Sequence, residues 1–360
     1  MVTAVVLFGL LPLVALYFVF LNAAGDGKVT DFENAFYPSA QAILDGESPY
    51  TSPDDPQLAA GTEYVYPPLT ALASVPFVAV SAEVAGVIVM ALLVASVVGI
   101  LYLLEVRDWR CYGLAFLWPP VISAIQTGNV TIPLALGAAL AWRFRDDAGA
   151  AGASLGMTLA TKLFLWPLVL WLAVTRRLGA AAIALVVGLV VLLVTWGAIG
   201  FAGLVDYPDL LRRVQELEEG QGYTVYALSI DLGASPEVAR ALWIVIAVSL
   251  LVGVVALGRR GDERRAFVLA LAAALACSPI VWLHYFALLL VVVAVAERRL
   301  GPAWFVPLVL YASTGTMNGT TLQTGLTIAA AALTVAVALR PIRPTRSPLL
   351  GSTSPAAGSP

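Results

Sequence analysis

The sequence predicts an all-α polytopic membrane protein: one bundle of about twelve transmembrane helices with a long first outer loop. Three observations predict it. Of the 360 residues, 60% are apolar and 12% charged, leaving more apolar surface than a soluble domain can bury. Arginine clusters bound the apolar runs, at Arg107/Arg110, Arg143/Arg145, Arg176/Arg177, Arg259 to Arg265, Arg298/Arg299 and Arg340 to Arg346. By the positive-inside rule these are cytoplasmic turns. Finally, the stretch Asp26 to Tyr66 gathers eight of the chain's 23 carboxylates with a single cation, Lys28, so one early loop carries a large share of the polar chemistry.

The elements follow in order. Val2 to Leu21 is apolar throughout and has no charged residue before it; at about 20 residues it exceeds what a signal peptide needs and reads as a retained anchor. Residues 23–66 form the first outer loop. Pro67 to Val80 carries Pro67, Pro68 and Pro76, and about 14 residues make roughly 21 Å of helix against a hydrocarbon core of about 30 Å. It reads as re-entrant or interfacial; the alternative is that it spans and Arg107/Arg110 lie outside. Val84 to Leu104 spans. Each later interval between arginine clusters is an out-and-back hairpin, with outer turns near Gln126 to Asn129, Lys162, residues 201–236 (the second outer loop), His284 and Met317 to Thr321. Within the second loop, LLRRVQELEEG has the composition of a short surface helix. Residues 1–339 form one domain, and 340–360, with Pro341, Pro344, Pro348, Pro355 and Pro360, reads as a disordered cytoplasmic tail. Cys111 and Cys277 fall in apolar segments and read as buried thiols.

Ionisable residues stand at three outer membrane boundaries. Asp31 and Glu33 follow the first helix beside Phe32, Phe36 and Tyr37, and a carboxylate partly desolvated by aromatic rings suits a general base toward a hydroxyl. The bland reading is a solvated loop acid. His284 is the chain's one histidine, at the apex SPIVWLHY; it reads either as a hydrogen-bonded helix-end residue or, because an ionisable group at membrane depth is costly, as part of a site. Lys162 lies about 14 to 17 residues from Arg145 and Arg176, too few for full vertical spans. Two short helices should therefore meet there and leave an ammonium in need of an anion, either an ordinary headgroup or a bound lipid phosphate. Gln126 to Asn129 add a polar turn suited to sugar hydroxyls or simply to helix capping. One histidine and no clustered cysteines argue against a zinc site, and the chain has no phosphate loop, dinucleotide fingerprint or HExxH element. No cofactor is indicated; Asp31 and Glu33 could hold a divalent cation loosely, but nothing in the sequence calls for one.

The order of DFENAFYPSAQAILDGESPY, EYVYPPLTAL, QTGN, ATKLFLWP and SPIVWLHY resembles the GT-C superfamily and, within it, glycosyltransferase family 87, the polyprenol-phosphate-mannose-dependent mannosyltransferases. The resemblance implies a GT-C type bundle in the cell membrane that transfers a sugar, mannose, from a polyprenyl-phosphate donor to a glycolipid or glycan acceptor. The reaction is an inverting displacement at the extracytoplasmic face, with no nucleic acid involved. It further implies Asp31 as catalytic base, His284 as a second active-site residue and Lys162 at the donor phosphate, with Glu33, Tyr37, Tyr66, Gln126, Asn129 and Tyr285 around the substrates. The rival class is a polytopic transporter or lipid flippase, which uses a similar helix count but carries internal repeats and mid-membrane charges; here no repeat is visible and the polar groups crowd one face.

Overall fold

The computed structural model describes residues 2–25, 29–313, 315 and 317–341. Most of the proline-rich tail, and Asp26 and Lys28 of the first loop, lie outside the described residues. Among the described residues the chain is helical, without strands. In order the helices are α1 (Val2–Ala23), α2 (Tyr37–Leu44), α3 (Pro68–Ala79), α4 (Ala82–Leu103), α5 (Trp109–Ala115), α6 (Pro119–Thr127), α7 (Thr131–Arg143), α8 (Ala148–Thr161), α9 (Leu163–Val174), α10 (Leu178–Ala198), α11 (Tyr207–Glu218), α12 (Val225–Asp231), α13 (Pro236–Arg259), α14 (Glu263–Cys277), α15 (Leu283–Ala296), α16 (Pro302–Ala312) and α17 (Thr321–Ala338). Polar side chains set several starts. Ser81, Asp147, Asp262 and Thr320 each accept from the backbone N–H three residues on, at Val84, Ala150, Arg265 and Gln323, which satisfies a donor the first helical turn leaves free.

Five helices are long and apolar enough to cross a membrane: α1, α4, α10, α13 and α17, of 22, 22, 21, 24 and 18 residues. A sixth is reached if α6 and α7, bent by 118° at their junction, count as one crossing. The dozen crossings expected from the sequence are not reached, and the reason is local. Gly128 in the left-handed region (φ 68°) ends α6, an extended Lys162 (φ −159°) ends α8, and prolines open α3, α9 and α16 or follow within a residue or a turn. Intervals of the right total length are thereby cut into pieces. Pro67 to Val80 is such a piece, seven α-helical residues and a five-residue tighter turn.

Burial divides the helices into two kinds. The short α14 and α15 form the centre, where Ala266 to Ala274 and Leu283 to Val295 are buried without interruption. The long helices stand at the periphery and expose apolar side chains, among them Val186, Leu189, Leu193 and Val194 on α10 and Val245, Val248 and Val252 on α13. Large apolar exteriors on helices of spanning length fit lipid and not water, so the chain is a multi-pass membrane protein.

The arginine clusters meet at one end of the bundle. Glu105 pairs with Arg298 and, at 4.0 Å, with Arg143; Glu263 pairs with Arg145 at 3.4 Å and Arg177 at 2.9 Å; Arg177 also pairs with Asp146 at 2.7 Å. Asp108, paired with Arg110, accepts from the Leu300 amide, and Arg264 donates to the carbonyls of Ala338 and Arg340. From this end α7 and α8 rise toward Asn129 and Lys162 over 13 and 14 residues, about 20 Å at 1.5 Å per residue, where α10 and α13 rise about 32 to 36 Å. The far ends of the short helices therefore stop about 10 Å short of the opposite edge of a 30 Å hydrocarbon layer, inside a taller wall.

That arrangement rests on close helix contact between α8 and α10. A Cβ added at Gly156 would stand 2.7 Å from Val187 Cβ and 2.8 Å from the Ala184 carbonyl oxygen, so the two backbones touch where small residues allow it. Gly156→Val should lower the thermal unfolding midpoint of the purified protein through overpacking of about 1–3 kcal/mol. Gly99→Ala, with open space around the new methyl, should leave the midpoint unchanged or raise it. Equal midpoints for the two variants would refute the close contact.

Candidate active site

Asn129 joins three parts of the chain. Its amide nitrogen donates to the Asp31 carboxylate at 2.6 Å and to the Tyr66 hydroxyl at 3.3 Å, while its oxygen accepts from the Thr131 backbone at 2.9 Å and the Thr131 hydroxyl at 2.6 Å. The residue is 1% exposed. Its position depends on Gly128: a Cβ there would sit 2.6 Å from Val29 and 2.8 Å from Phe32, so only a glycine lets the α6–α7 bend close on the Asp31 turn. That turn is itself widened, since the Tyr37 amide reaches back five residues to the Phe32 carbonyl. Such wide turns re-aim side chains and recur at functional sites.

Lys162 lies in the break between α8 and α9, with its ammonium 4.9 Å from the ring centre of Tyr66, 4.1 Å from that of Tyr285 and 6.0 Å from that of Phe164. It also donates to the Tyr285 hydroxyl. Aromatic faces are a partial substitute for water around a cation. His284, 2% exposed, stacks edge-on to Tyr285 at 4.9 Å, and both its ring nitrogens are buried without a partner among the described residues. The buried Thr127 hydroxyl lies beside Asp31 and favours its ionised form.

Of the residues singled out in the sequence, the structure brings Asp31, Tyr66, Asn129, Lys162, His284 and Tyr285 together. It does not bring the other three. Glu33 accepts from the Val29 amide at 2.9 Å and abuts Gly86 on α4, a local turn closure. The Tyr37 hydroxyl donates to the Val80 carbonyl at 2.8 Å, which pins α2 to the end of α3. Gln126 is exposed on α6, one residue before the buried Thr127. An i, i+2 pair or an i, i+1 pair on a helical turn points in different directions, and that decides each case.

One residue of the site was missed. Glu218 ends α11 in the second outer loop, partly buried, and feels the charges of both Lys162 and Asp31. Burial pushes its proton affinity above the ordinary carboxylate range, opposed by Lys162 and assisted by Asp31. Burial likewise raises Asp31, opposed by the Asn129 hydrogen bond and by Lys162. No ion pair within 4.0 Å links Lys162 to either acid among the described residues. The three charges thus act on one another without direct ion pairing. Among the described residues no group of three or more His, Cys, Asp or Glu gathers to hold a metal ion.

The sequence pattern of glycosyltransferase family 87 matches residues 64–284, well over half the chain. The chain belongs to that family. No curated protein and no solved structure matches it. As a family 87 member it is a membrane glycosyltransferase with a sugar donor and an acceptor as substrates, which sets aside the transporter reading. The matched span, residues 64–284, includes Tyr66, Asn129, Lys162, Glu218 and His284; Tyr285 follows it directly, while Asp31 lies well before it and is joined to it by the Asn129 hydrogen bond.

The Asn129 hydrogen bond favours the ionised form of Asp31. Its loss in Asn129→Ala should therefore move Asp31 protonation to higher pH, read from the carboxyl C=O stretch in infrared difference spectra against Asp31→Asn. An unmoved or lowered titration would show that the bond does not hold the carboxylate.

Proposed function

We propose that this family 87 glycosyltransferase transfers mannose from polyprenyl-phosphate mannose to a hydroxyl of a glycolipid or glycan, at the extracytoplasmic face of the cell membrane and with inversion. One observation carries the reading. The Asp31 carboxylate, held by Asn129, and the Lys162 ammonium act on one another with no ion pair between them among the described residues, and both ring nitrogens of His284 are buried without a partner among those residues. Displacement at a lipid-linked sugar phosphate needs a base and a cation in that relation.

The chemistry follows from the placement. Asp31, oriented by Asn129, takes the proton of the acceptor hydroxyl, whose oxygen attacks the anomeric carbon. The bond from that carbon to the phosphate oxygen breaks, and polyprenyl phosphate leaves with a second negative charge. Lys162 offsets that charge at a site with few competing waters, where it acts most strongly. Burial raises the proton affinity of Asp31 and makes it a better base than a solvated carboxylate. His284 offers a hydrogen bond to the departing phosphate. The positive-inside rule supports the extracytoplasmic face, since the arginine clusters gather at the opposite end of the bundle.

The test is transfer from a panel of radiolabelled polyprenyl-phosphate sugars by purified protein in lipid, with mannose transferred and the other sugars not. In that assay Asp31→Asn should lower transfer by about 10²- to 10⁴-fold. Glu33→Gln should cost far less, its carboxylate being engaged with the Val29 amide. Near-normal transfer by Asp31→Asn would remove Asp31 as the base.

The face is tested separately. A cysteine beside Asp31, Lys162 or His284 should react with a small membrane-impermeant thiol reagent in intact cells, and one beside Arg260 should not. Labelling at Arg260 with protection at the other three inverts the orientation.

A further inference from the structure

Among the described residues the hydroxyl proton of Tyr285 has no acceptor. The Tyr285 oxygen accepts from the Lys162 ammonium, whose nitrogen lies 4.1 Å from the ring centre. A phenol that accepts in this way still carries its own O–H donor, and no hydrogen bond from it reaches a described residue. The ring is 7% exposed and held on two sides, its centre 5.4 Å from that of Phe164 and 4.9 Å from that of His284. Its backbone is fixed as well, since the Tyr285 amide donates to the Trp282 carbonyl at 3.0 Å. The direction of the hydroxyl is therefore set before any ligand arrives.

Lys162 repeats the imbalance. An ammonium carries three donors; one goes to Tyr285, and its other close neighbours are the ring faces of Tyr66 and Phe164. The pair thus holds N–H and O–H donors with no carboxylate or carbonyl bonded to either among the described residues. Buried donors left unsatisfied are costly, and a native fold that keeps them calls for an explanation.

A ligand made of acceptors supplies one. A sugar hydroxyl brings a donor with its acceptor lone pairs, whereas a phosphate ester brings acceptor oxygens only, with a charge that strengthens each bond. We propose that Tyr285 is a further phosphate-binding residue, its O–H donating to a non-bridging oxygen of the donor phosphate while Lys162 holds another. This rests on the polyprenyl-phosphate-sugar reading above and adds to it a neutral donor. The bond from Lys162 into the phenol oxygen polarises the O–H and makes it a stronger donor. As the bond between the anomeric carbon and the phosphate oxygen breaks, the phosphate gains charge and the hydrogen bond tightens; the proton stays on Tyr285 throughout. A hydroxyl already oriented for that charge needs little reorganisation during the reaction.

The probe is decaprenyl phosphate, with decaprenol as the same chain lacking the phosphate, and binding is measured on the full chain in lipid. Tyr285→Phe keeps the ring beside Lys162 and removes the O–H. It should weaken decaprenyl phosphate binding by about 10- to 100-fold, the loss of one charge-assisted hydrogen bond, and leave decaprenol binding unchanged. Infrared difference spectra separate this from a role exercised only through Lys162. The Tyr285 C–O stretch, identified by its absence in Tyr285→Phe, should shift when decaprenyl phosphate binds, because the hydroxyl then donates as well as accepts. An unchanged dissociation constant, an equal loss for decaprenol, or a band that stays in place each overturns the proposal. A wild type that binds the phosphate no better than decaprenol overturns the polyprenyl-phosphate reading and this proposal with it, whereas a wild type that prefers the phosphate beside an indifferent Tyr285→Phe overturns this proposal alone.

Discussion

The hydrogen bonds of one amide, Asn129, fix the relation between the first loop and the helical core. Its nitrogen reaches two elements that come from before α3, Asp31 and Tyr66, while its oxygen starts α7. If the amide were rotated, the nitrogen would face the Thr131 backbone donor and the oxygen would face the Asp31 carboxylate, so the network admits one orientation. Gly128 makes the approach possible, because its left-handed backbone turns α6 into α7 and its missing side chain leaves space for Val29 and Phe32. Without that contact the loop acid would be an ordinary solvated carboxylate. With it, the acid is partly buried, oriented and held opposite Lys162.

Helix length sets the depth of the site. Peripheral apolar helices of 18 to 24 residues accompany inner helices of 13 to 15 residues, about five to seven residues short of a full span. Polar breaks interrupt these short helices at Gly128, Lys162 and 278–282, where surrounding protein satisfies freed backbone groups as lipid could not. The aromatic rings of Tyr66, Phe164 and Tyr285 close around the ammonium, so the charge sits in a surround of intermediate polarity, neither hydrocarbon nor bulk water.

Much of this was legible in the sequence. Composition and the arginine clusters gave the all-helical membrane fold, and the distances from Lys162 to Arg145 and Arg176 gave two short helices meeting at a cation, as α8 and α9 do. The convergence of Asp31, Asn129, Lys162 and His284 followed from assigning their turns to one face. The number of full crossings did not follow, because an interval of adequate total length reads alike whether or not a proline or a left-handed glycine divides it. Nor did the directions of Glu33, Tyr37 and Gln126, which a one- or two-residue rotation decides. Glu218 was hidden for a different reason. LLRRVQELEEG is charged along most of its length, and an amphipathic surface helix is its natural reading; that the last of those turns folds inward over the first loop is a tertiary fact with no local signal.

The charges at the centre also link the two halves of the proposed reaction. Lys162 lowers the proton affinity of Asp31, working against burial. A donor phosphate on Lys162 would neutralise that influence and add a negative charge nearby, and both changes raise the proton affinity of Asp31. The base would then become strongest when the donor is in place, and weaker when it is not. Glu218 carries the like-charge repulsion between the two acids, its own proton affinity being raised by Asp31. The sequence of events built into this electrostatics is donor first and proton transfer second, an order that follows from one lysine facing two acids without pairing with either.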